Sequence, residues 1–432
     1  MSAWISAVED GVRPVSIVVV YDQGAVSPTE ILQGFTEPQA LILVLAGSAH
    51  AQRVRPLFAE TCAAVHDLED VDLVERLRGH GVTGVVTFSE PMLQATSVLA
   101  SALGLRFHDA GLVERLTNKH VQRRRLRAAG VDETGSIVIS RADEWDSAVE
   151  RVRLPVVIKP ARGVSSRNTV LIDELEAGRS HIGPILREEG TVVVEKYLRG
   201  IDVPEPFGDY VSVETVVQNG ERCHLAITGK LRLVPPFREC GQFWPPRLDT
   251  AARESVEVLA DQAIKALGVE SGILHTEIKL TPDGPRIIEV NGRVGGYIPE
   301  LARRAAAIDL IDVAGRIARG ERVEIHPVDL DRVYFQFTTP APTESGTVSA
   351  VCGADALKDV PGVVHRYPLV RPGTEVGGVW THDLDLVVGD VPDHEALAAT
   401  IETIMSRISY QFEIDGRRVD RSARDLVYST AR

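Results

Sequence analysis

Residues 273–296, ILHTEIKLTPDGPRIIEVNGRVGG, constrain this chain more than any other stretch. Two runs rich in β-branched residues flank Thr281-Pro282-Asp283-Gly284-Pro285, whose Pro and Gly are turn chemistry, so the segment is predicted to form a β-hairpin. Side chains alternate between faces along a strand. His275, Glu277 and Lys279 therefore share one face of the first strand, and Glu289, Asn291 and Arg293 share one face of the second. A hairpin centred on Asp283 sets Glu277 opposite Glu289 and His275 opposite Asn291. Two glutamates opposed across a strand pair destabilise it unless a positive charge lies between them. At about 4 Å and an effective dielectric of roughly 20, the repulsion is on the order of 4 kcal/mol. A hard divalent cation, held by carboxylate and amide oxygens, removes that cost and creates a site for phosphates. The plain alternative is a pair of solvated glutamates on an exposed hairpin, and a one-residue slip in register would break the pairing.

The string EIKLTPDGPRIIEVNGRVGG closely resembles the metal-binding segment of the ATP-grasp carboxylate–amine ligases, and the chain is most like their L-amino acid (dipeptide or peptide) ligase branch. The resemblance implies that Glu277, Glu289 and Asn291 hold magnesium on ATP, with manganese as an admissible substitute. It places Arg293 against the transferred phosphoryl group.

Other segments carry the resemblance further. Lys159 ends a short apolar strand and opens Pro160-Ala161-Arg162-Gly163-Val164-Ser165-Ser166-Arg167-Asn168. Glycine and small hydroxyl residues make this a flexible loop whose backbone N–H groups can wrap phosphate oxygens. No Walker sequence occurs in the chain. A lysine on a buried strand needs a negative partner, either a ligand phosphate or an internal carboxylate. The loop resembles the mobile phosphate loop of the family, with Gly163, Ser165 and Ser166 as its phosphate-facing residues, and Lys119 and Lys159 match the two lysines that touch the nucleotide there. Glu195, Lys196 and Leu198 match the adenine-reading hinge. Asp202 stands where an acid binds the ribose, although a glutamate is more usual, and residues 203–209 look like an insertion before a strand at 211–217.

Lys230 and the segment 237–245 form the substrate end. The family's amino-acid ligases often carry Glu-x-Gly-His-x-x-Pro here, and this chain has Glu239, Gly241, Gln242 and Pro245. Glutamine does not titrate, so a general-base role does not transfer, whereas hydrogen bonding to a substrate does. Glu239 is expected to hold a substrate ammonium. Phe243 and Trp244 are either the pocket floor or plain core. Lys230 and Arg293 are the expected catalytic cations. Gly295 and Gly296 would let substrate approach the backbone, and Tyr297 would limit the pocket.

At 432 residues the chain is too long for one core. Short apolar runs at 15–21, 41–46 and 84–88, with helical pattern at 70–77 and 92–103, predict an N-terminal Rossmann-like parallel sheet. Gly79-His80-Gly81-Val82-Thr83-Gly84 matches G-x-G-x-x-G but runs from helix to strand, the reverse of the dinucleotide context, and is taken as a connecting turn. Helices are expected at 119–129, 142–152, 248–267 and 298–307. Strands are expected at 137–140, 155–160 and 191–195, and then at 333–337, 346–352, 362–369 and 381–388, with a last helix at 394–408. The basic cluster in 119–127 spreads round its helix and reads mostly as a solvated face.

The expected fold is α/β (α+β lobes). An N-terminal unit (1–115) precedes an ATP-grasp unit (116–325, hinge near 195–202) and a strand-rich C-terminal unit (326–432). The net charge of −14 argues against nucleic acid or anionic membrane as partners. Four scattered cysteines indicate neither a zinc site nor a disulfide framework, and no apolar run reaches membrane-spanning length, so a cytoplasmic protein is expected. The implied activity is that of an ATP-dependent acid–amino-acid ligase. It forms an amide or peptide bond from small-molecule carboxylate and amine substrates through an acyl phosphate, releases ADP and phosphate, and is compatible with a homodimer. A bicarbonate-using carboxylase of the same fold and a non-catalytic nucleotide-binding regulator remain as alternatives.

Overall fold

The computed structural model describes residues 16–163, 166–377 and 382–428, and its strands form four sheets among those residues. The apolar runs near the start pair in parallel in the order Ala64–Asp67, Leu41–Leu45, Ser16–Tyr21, Val82–Val86. Leu41–Leu45 and Ser16–Tyr21 are buried at every residue, because helices cover both faces of the sheet. One of these helices, Ala49–Thr61, escapes the sequence pattern because Pro56 lies inside it. Ser48 caps it, accepting from the Ala51 N–H and donating to Asp22 Oδ1 at 2.6 Å, which ties the helix to the end of the first strand. The glycine motif is a turn from helix Leu73–Gly79 into strand Val82–Val86, as its context predicts.

A second sheet is antiparallel, in the order Ser136–Ile139, Val192–Lys196, Val156–Pro160, Val170–Ile172. Helices Trp145–Val152 and Leu175–Glu189 cover it, and Trp145 is the anchor of their shared core. Leu175–Glu189 was not expected; Gly178, Gly183 and Pro184 obscure its pattern.

The third sheet positions the candidate site. Its eight strands run in the order Gly284–Asn291, Gly272–Thr281, Phe207–Gln218, Glu221–Leu231, Gly241–Trp244, Val333–Pro340, Asp383–Val391, Val363–Pro368. Strands from both sides of residue 325 thus share one sheet, joined where Gly241–Trp244 pairs with Val333–Pro340. The long helix Thr250–Leu267, stopped by left-handed Gly268 as its sequence predicts, packs on the back of the hairpin. Phe207–Gln218 begins at Phe207, so less of 203–209 is loop than its sequence suggests.

Helix His394–Arg407 was expected to close the last region, but a hairpin, Ser409–Ile414 and Arg417–Ser422, and the short helix Ala423–Val427 follow it. The hairpin completes a fourth sheet with Gly346–Cys352 and Glu375–Val376. No helix among the described residues is long and apolar enough to cross a membrane.

Candidate functional site

The hairpin pairs His275 with Asn291 and Glu277 with Glu289, as its sequence predicts, but by another route. The turn is the two residues Pro282 and Asp283, with Thr281 opposite Gly284. That register alone would set Glu277 against Ile288. A bulge at Ile288 shifts the second strand by one residue, because Ile278 faces Ile287 while Glu277 faces Glu289. Ile287 and Val290 consequently both point into the core under helix Thr250–Leu267, each 0% exposed. Slipping back would exchange buried Val290 for Glu289, and burying such an apolar side chain is worth roughly 1.5–3 kcal/mol.

Side chains take the place of a neighbouring strand along the outer edge of Gly284–Asn291. Gln122 donates to Val290 O and accepts from Val290 N, both at 2.8 Å, and Asp132 Oδ2 accepts from Ile287 N at 3.1 Å. Arg123 grips the two carbonyls at the bulge, Ile287 O at 2.9 Å and Ile288 O at 3.1 Å. The other Arg123 donors reach Glu195 at 3.1 and 3.2 Å and Asp132 at 3.0 Å, so all five guanidinium N–H groups are used. Arg123 is 3% exposed. The reading of the basic cluster as a solvated face fails at this residue, because helix Lys119–Ala128 turns its Gln122–Arg123 side into the molecule.

Each opposed glutamate already has a cation from its own chain. The Lys119 ammonium lies 2.5 Å from Glu289 Oε1 and also donates to Gly163 O at 3.0 Å. His275 lies between Glu214, 2.7 Å from its Nδ1, and Glu277, 3.5 Å from its Nε2. Burial by itself would lower the pKa of His275, but the Glu214 carboxylate and then Glu277 together outweigh burial and lift it to about 9. Burial pushes Glu277 the other way, yet His275, Lys230 and Arg293 hold it at about 2. The like-charge repulsion is therefore relieved without a metal.

The donor chemistry still suits a hard cation. Two carboxylates and the Asn291 amide share one face of adjacent strands, and the Asn291 nitrogen is turned to His275 O and Glu277 Oε1, leaving its oxygen as an acceptor. Among the described residues no three His, Cys, Asp or Glu converge on one point. Magnesium fits such a set, since it commonly takes one or two carboxylates and completes its shell with phosphates and water.

The partner of Lys159 is internal. Its ammonium is 2.7 Å from Glu195 Oε1, and the Arg123 fork holds the same carboxylate. Burial would raise the Glu195 pKa; Arg123 and Lys159 overcome it and hold the group at about 2. Glu195 is thus an anchor between cations, while the Lys196 N–H bonds Gly135 O and its ammonium bonds the carbonyls of Arg153 and Leu154. Leu198 and exposed Asp202 lie on the connection that follows. The phosphate loop is tethered on both flanks, by Arg162 to Glu114 and Thr117 and by Arg167 to Glu189 at 2.7 Å. Gly163 and Ser166 lie in it; Ser165 is outside the described residues.

At the substrate end, Arg293 Nη2 lies 3.4 Å from Glu90 Oε2, and Nη1 donates to Val294 O at 3.0 Å. Glu90, 5% exposed, sits just after the parallel sheet, and burial raises its pKa while Arg293 opposes the rise. No motif pointed to Glu90; its position just past the end of a parallel strand was the available signal. Gln242, expected to bond substrate, spends its donors on Gly296 O and Gln336 Oε1, while its oxygen accepts from Lys230 at 2.7 Å. Trp244 and Phe243 are core residues, 4% and 2% exposed, packed in two different apolar clusters. Glu239 is exposed and accepts from the Tyr210 hydroxyl at 3.3 Å. The Tyr297 hydroxyl donates to Asp383 at 3.1 Å, and burial, opposed by bonds from Tyr297 and Thr338, pushes Asp383 up to about 7.

The two glycines differ. A Cβ on Gly295 would lie 2.3 Å from His275 Nδ1, whereas one on Gly296 meets nothing within 4 Å. Gly295→Ala is therefore expected to cost about 1–3 kcal/mol through overpacking. Gly296→Ala should stay within about 0.5 kcal/mol of the parent. Denaturant unfolding of both variants checks the pair, and equal losses would remove the distinction.

Residues 152–299 match the family model described as an ATP-grasp domain. An uncharacterised protein of Sinorhizobium fredii is 27% identical over 339 residues, covering 76% of this chain and 68% of that protein. Alanine–anticapsin ligase of Bacillus subtilis is 24% identical, with 55% of each chain covered, so this chain spans about half the length of that relative. Among solved structures, an L-amino acid ligase from Bacillus licheniformis superposes with a TM-score of 0.73 at 20% identity, covering 92% of this chain and 98% of that one. The chain has the ATP-grasp fold, with a parallel N-terminal sheet and antiparallel, strand-rich sheets after it.

Proposed function

We propose that this chain, which carries an ATP-grasp domain, is an ATP-dependent ligase that joins the carboxylate of one small molecule, an amino acid or short peptide, to the amine of another. The observation that carries the reading is the pairing of Glu277 with Glu289 beside Asn291, with Arg293 two residues further along the same strand end. Names of the relatives support an amino substrate.

In this reading Lys119, Lys159 and the Gly163–Ser166 loop hold the nucleotide phosphates, the segment from Glu195 to Asp202 holds adenine and ribose, and residues 1–115, 116–325 and 326–432 are the three units. Direct condensation of a carboxylate with an amine fails because hydroxide leaves poorly. Transfer of the γ-phosphoryl group to the carboxylate makes phosphate the leaving group instead. The protein then needs mainly to position reactants and balance charge. Glu277, Glu289 and Asn291 would hold magnesium, which would supply positive charge to offset that of the phosphates. Lys230 and Arg293 balance negative charge developing on the transferred group. Glu90 gives the N-terminal unit a carboxylate beside Arg293, suited to the ammonium of the phosphorylated amino acid. Glu239 and Tyr297 border the side from which the amine enters.

Product analysis tests the reading: ATP with magnesium and amino acids, singly and in pairs, should yield ADP, phosphate and an amide. AMP with pyrophosphate would overturn the acyl-phosphate route. Turnover with bicarbonate alone would favour a carboxylase.

A further inference from the structure

We propose that Gln336 and Gln242 form an oriented amide relay that fixes the Lys230 ammonium without placing a carboxylate in direct contact with it, and that neither glutamine touches the amine substrate. The inference rests on the reading of Lys230 as a cation for the transferred phosphoryl group.

Three buried or nearly buried lysines line the candidate site, and they are not alike. Lys119 has Glu289 at 2.5 Å and Lys159 has Glu195 at 2.7 Å. Lys230 is 2% exposed, yet among the described residues no carboxylate comes within 4 Å of its ammonium. Its hydrogen-bond partner is the neutral Gln242 Oε1 at 2.7 Å. Glu277 acts on this ammonium only from beyond ion-pair distance, so an arriving anion can make the direct contact that no carboxylate makes. Of the three, Lys230 is the one with no carboxylate in direct contact.

The orientation of the relay is determined from its far end. The Glu300 carboxylate, held by Arg304 at 2.7 Å, only accepts, so Gln336 must turn its NH₂ toward it. The second hydrogen of that NH₂ goes to Tyr297 O at 2.9 Å. Gln336 Oε1 is then left to accept from Gln242 Nε2 at 2.8 Å, whose other hydrogen goes to Gly296 O at 2.9 Å. Gln242 can present only its oxygen to Lys230. All four amide hydrogens are used, two along the relay and two on the carbonyls of Gly296 and Tyr297, where the backbone turns left-handed at φ 61°. Gln336 and Gln242 are 1% and 6% exposed and lie opposite each other in register, so neither is free to swing toward a substrate. A carboxylate in place of Gln242 would neutralise Lys230, and a leucine would leave it unlocated; an amide fixed in this sense does neither.

The test uses the full chain and two probes, the magnesium complexes of ADP and of β,γ-imido-ATP, titrated by calorimetry. Lys230→Met should weaken the imido analogue about tenfold or more and leave ADP within about threefold, the size expected for a hydrogen bond to a charged group. Gln336→Leu should weaken the analogue several-fold with ADP unchanged, and the double variant should bind no worse than Lys230→Met. This non-additivity separates positioning from a general structural role, which would give additive losses. Gln242→Leu provides the same comparison if Gln336→Leu does not fold. Full analogue affinity in both glutamine variants, or additivity in the double variant, overturns the relay. Unchanged analogue binding by Lys230→Met overturns it through its premise, the placement of Lys230 on the phosphoryl group.

Discussion

Glu289→Gln is expected to lower turnover by about 10²–10³, the usual loss when one charge-stabilising group is removed from such a site. From the sequence alone the substitution looks neutral or better for stability, since it removes one of two opposed negative charges. The structure reverses that part of the argument. Glu289 holds the Lys119 ammonium at 2.5 Å, and both side chains are mostly buried. Burial would drive Lys119 toward its neutral form, and Glu289 first, then Glu90, keep its pKa above the ordinary value instead. An amide oxygen can still accept from Lys119, so the cost to stability should be about 1–3 kcal/mol rather than the full penalty of an orphaned charge. Phosphate release at saturating magnesium and denaturant unfolding measure the two effects separately. Normal turnover at low magnesium would remove Glu289 from the proposed metal set, and unchanged stability would mean that the Lys119 contact contributes little.

Arg123→Met should be the most damaging substitution for stability, at about 3–5 kcal/mol, because it breaks a buried ion pair and leaves its partner carboxylates in place. Glu195 would keep Lys159, while Asp132 would keep only backbone N–H donors. Arg123→Lys should rescue little, since a single ammonium cannot serve both carboxylates and the carbonyls of Ile287 and Ile288 together. The pH dependence follows the sign of the Glu195 shift. Its carboxyl is held at about 2 against an ordinary 4.5, so its contribution is complete above about 4.5 and is lost as the pH falls toward 2. Without Arg123 that shift shrinks, and unfolding free energy should fall less steeply over the same range. Urea unfolding between pH 3 and 7 reads both quantities. A variant as stable as the parent, with the same acid limb, would show that this network is not what holds the two sheets together. Loss of Arg123 should also free the bulge at Ile288, so residual folded protein is expected to turn over slowly.

The sequence by itself determined the hairpin, the long helix closed by Gly268 and the buried character of the first strands. These follow from local rules: alternation with period two, turn chemistry, helical capping and apolar runs each act over a few residues. Lys230, Gln242 and Arg293 were candidates because their segments resemble those of the ATP-grasp ligases. What surrounds those residues was decided by tertiary structure. The pairing of the glutamates depends on a bulge held by Gln122 and Asp132, which are 168 and 155 residues from the backbone they bond, and by Arg123. The cations that relieve the glutamates, Lys119 from a distant helix and His275 charged by Glu214, are likewise long-range contacts. So are Glu90 beside Arg293 and Gln336 behind Gln242, the last brought into register by a strand beyond residue 325. Which charge meets which depends on how sheets and helices stack, and no local pattern encodes a partner that arrives from a hundred residues away.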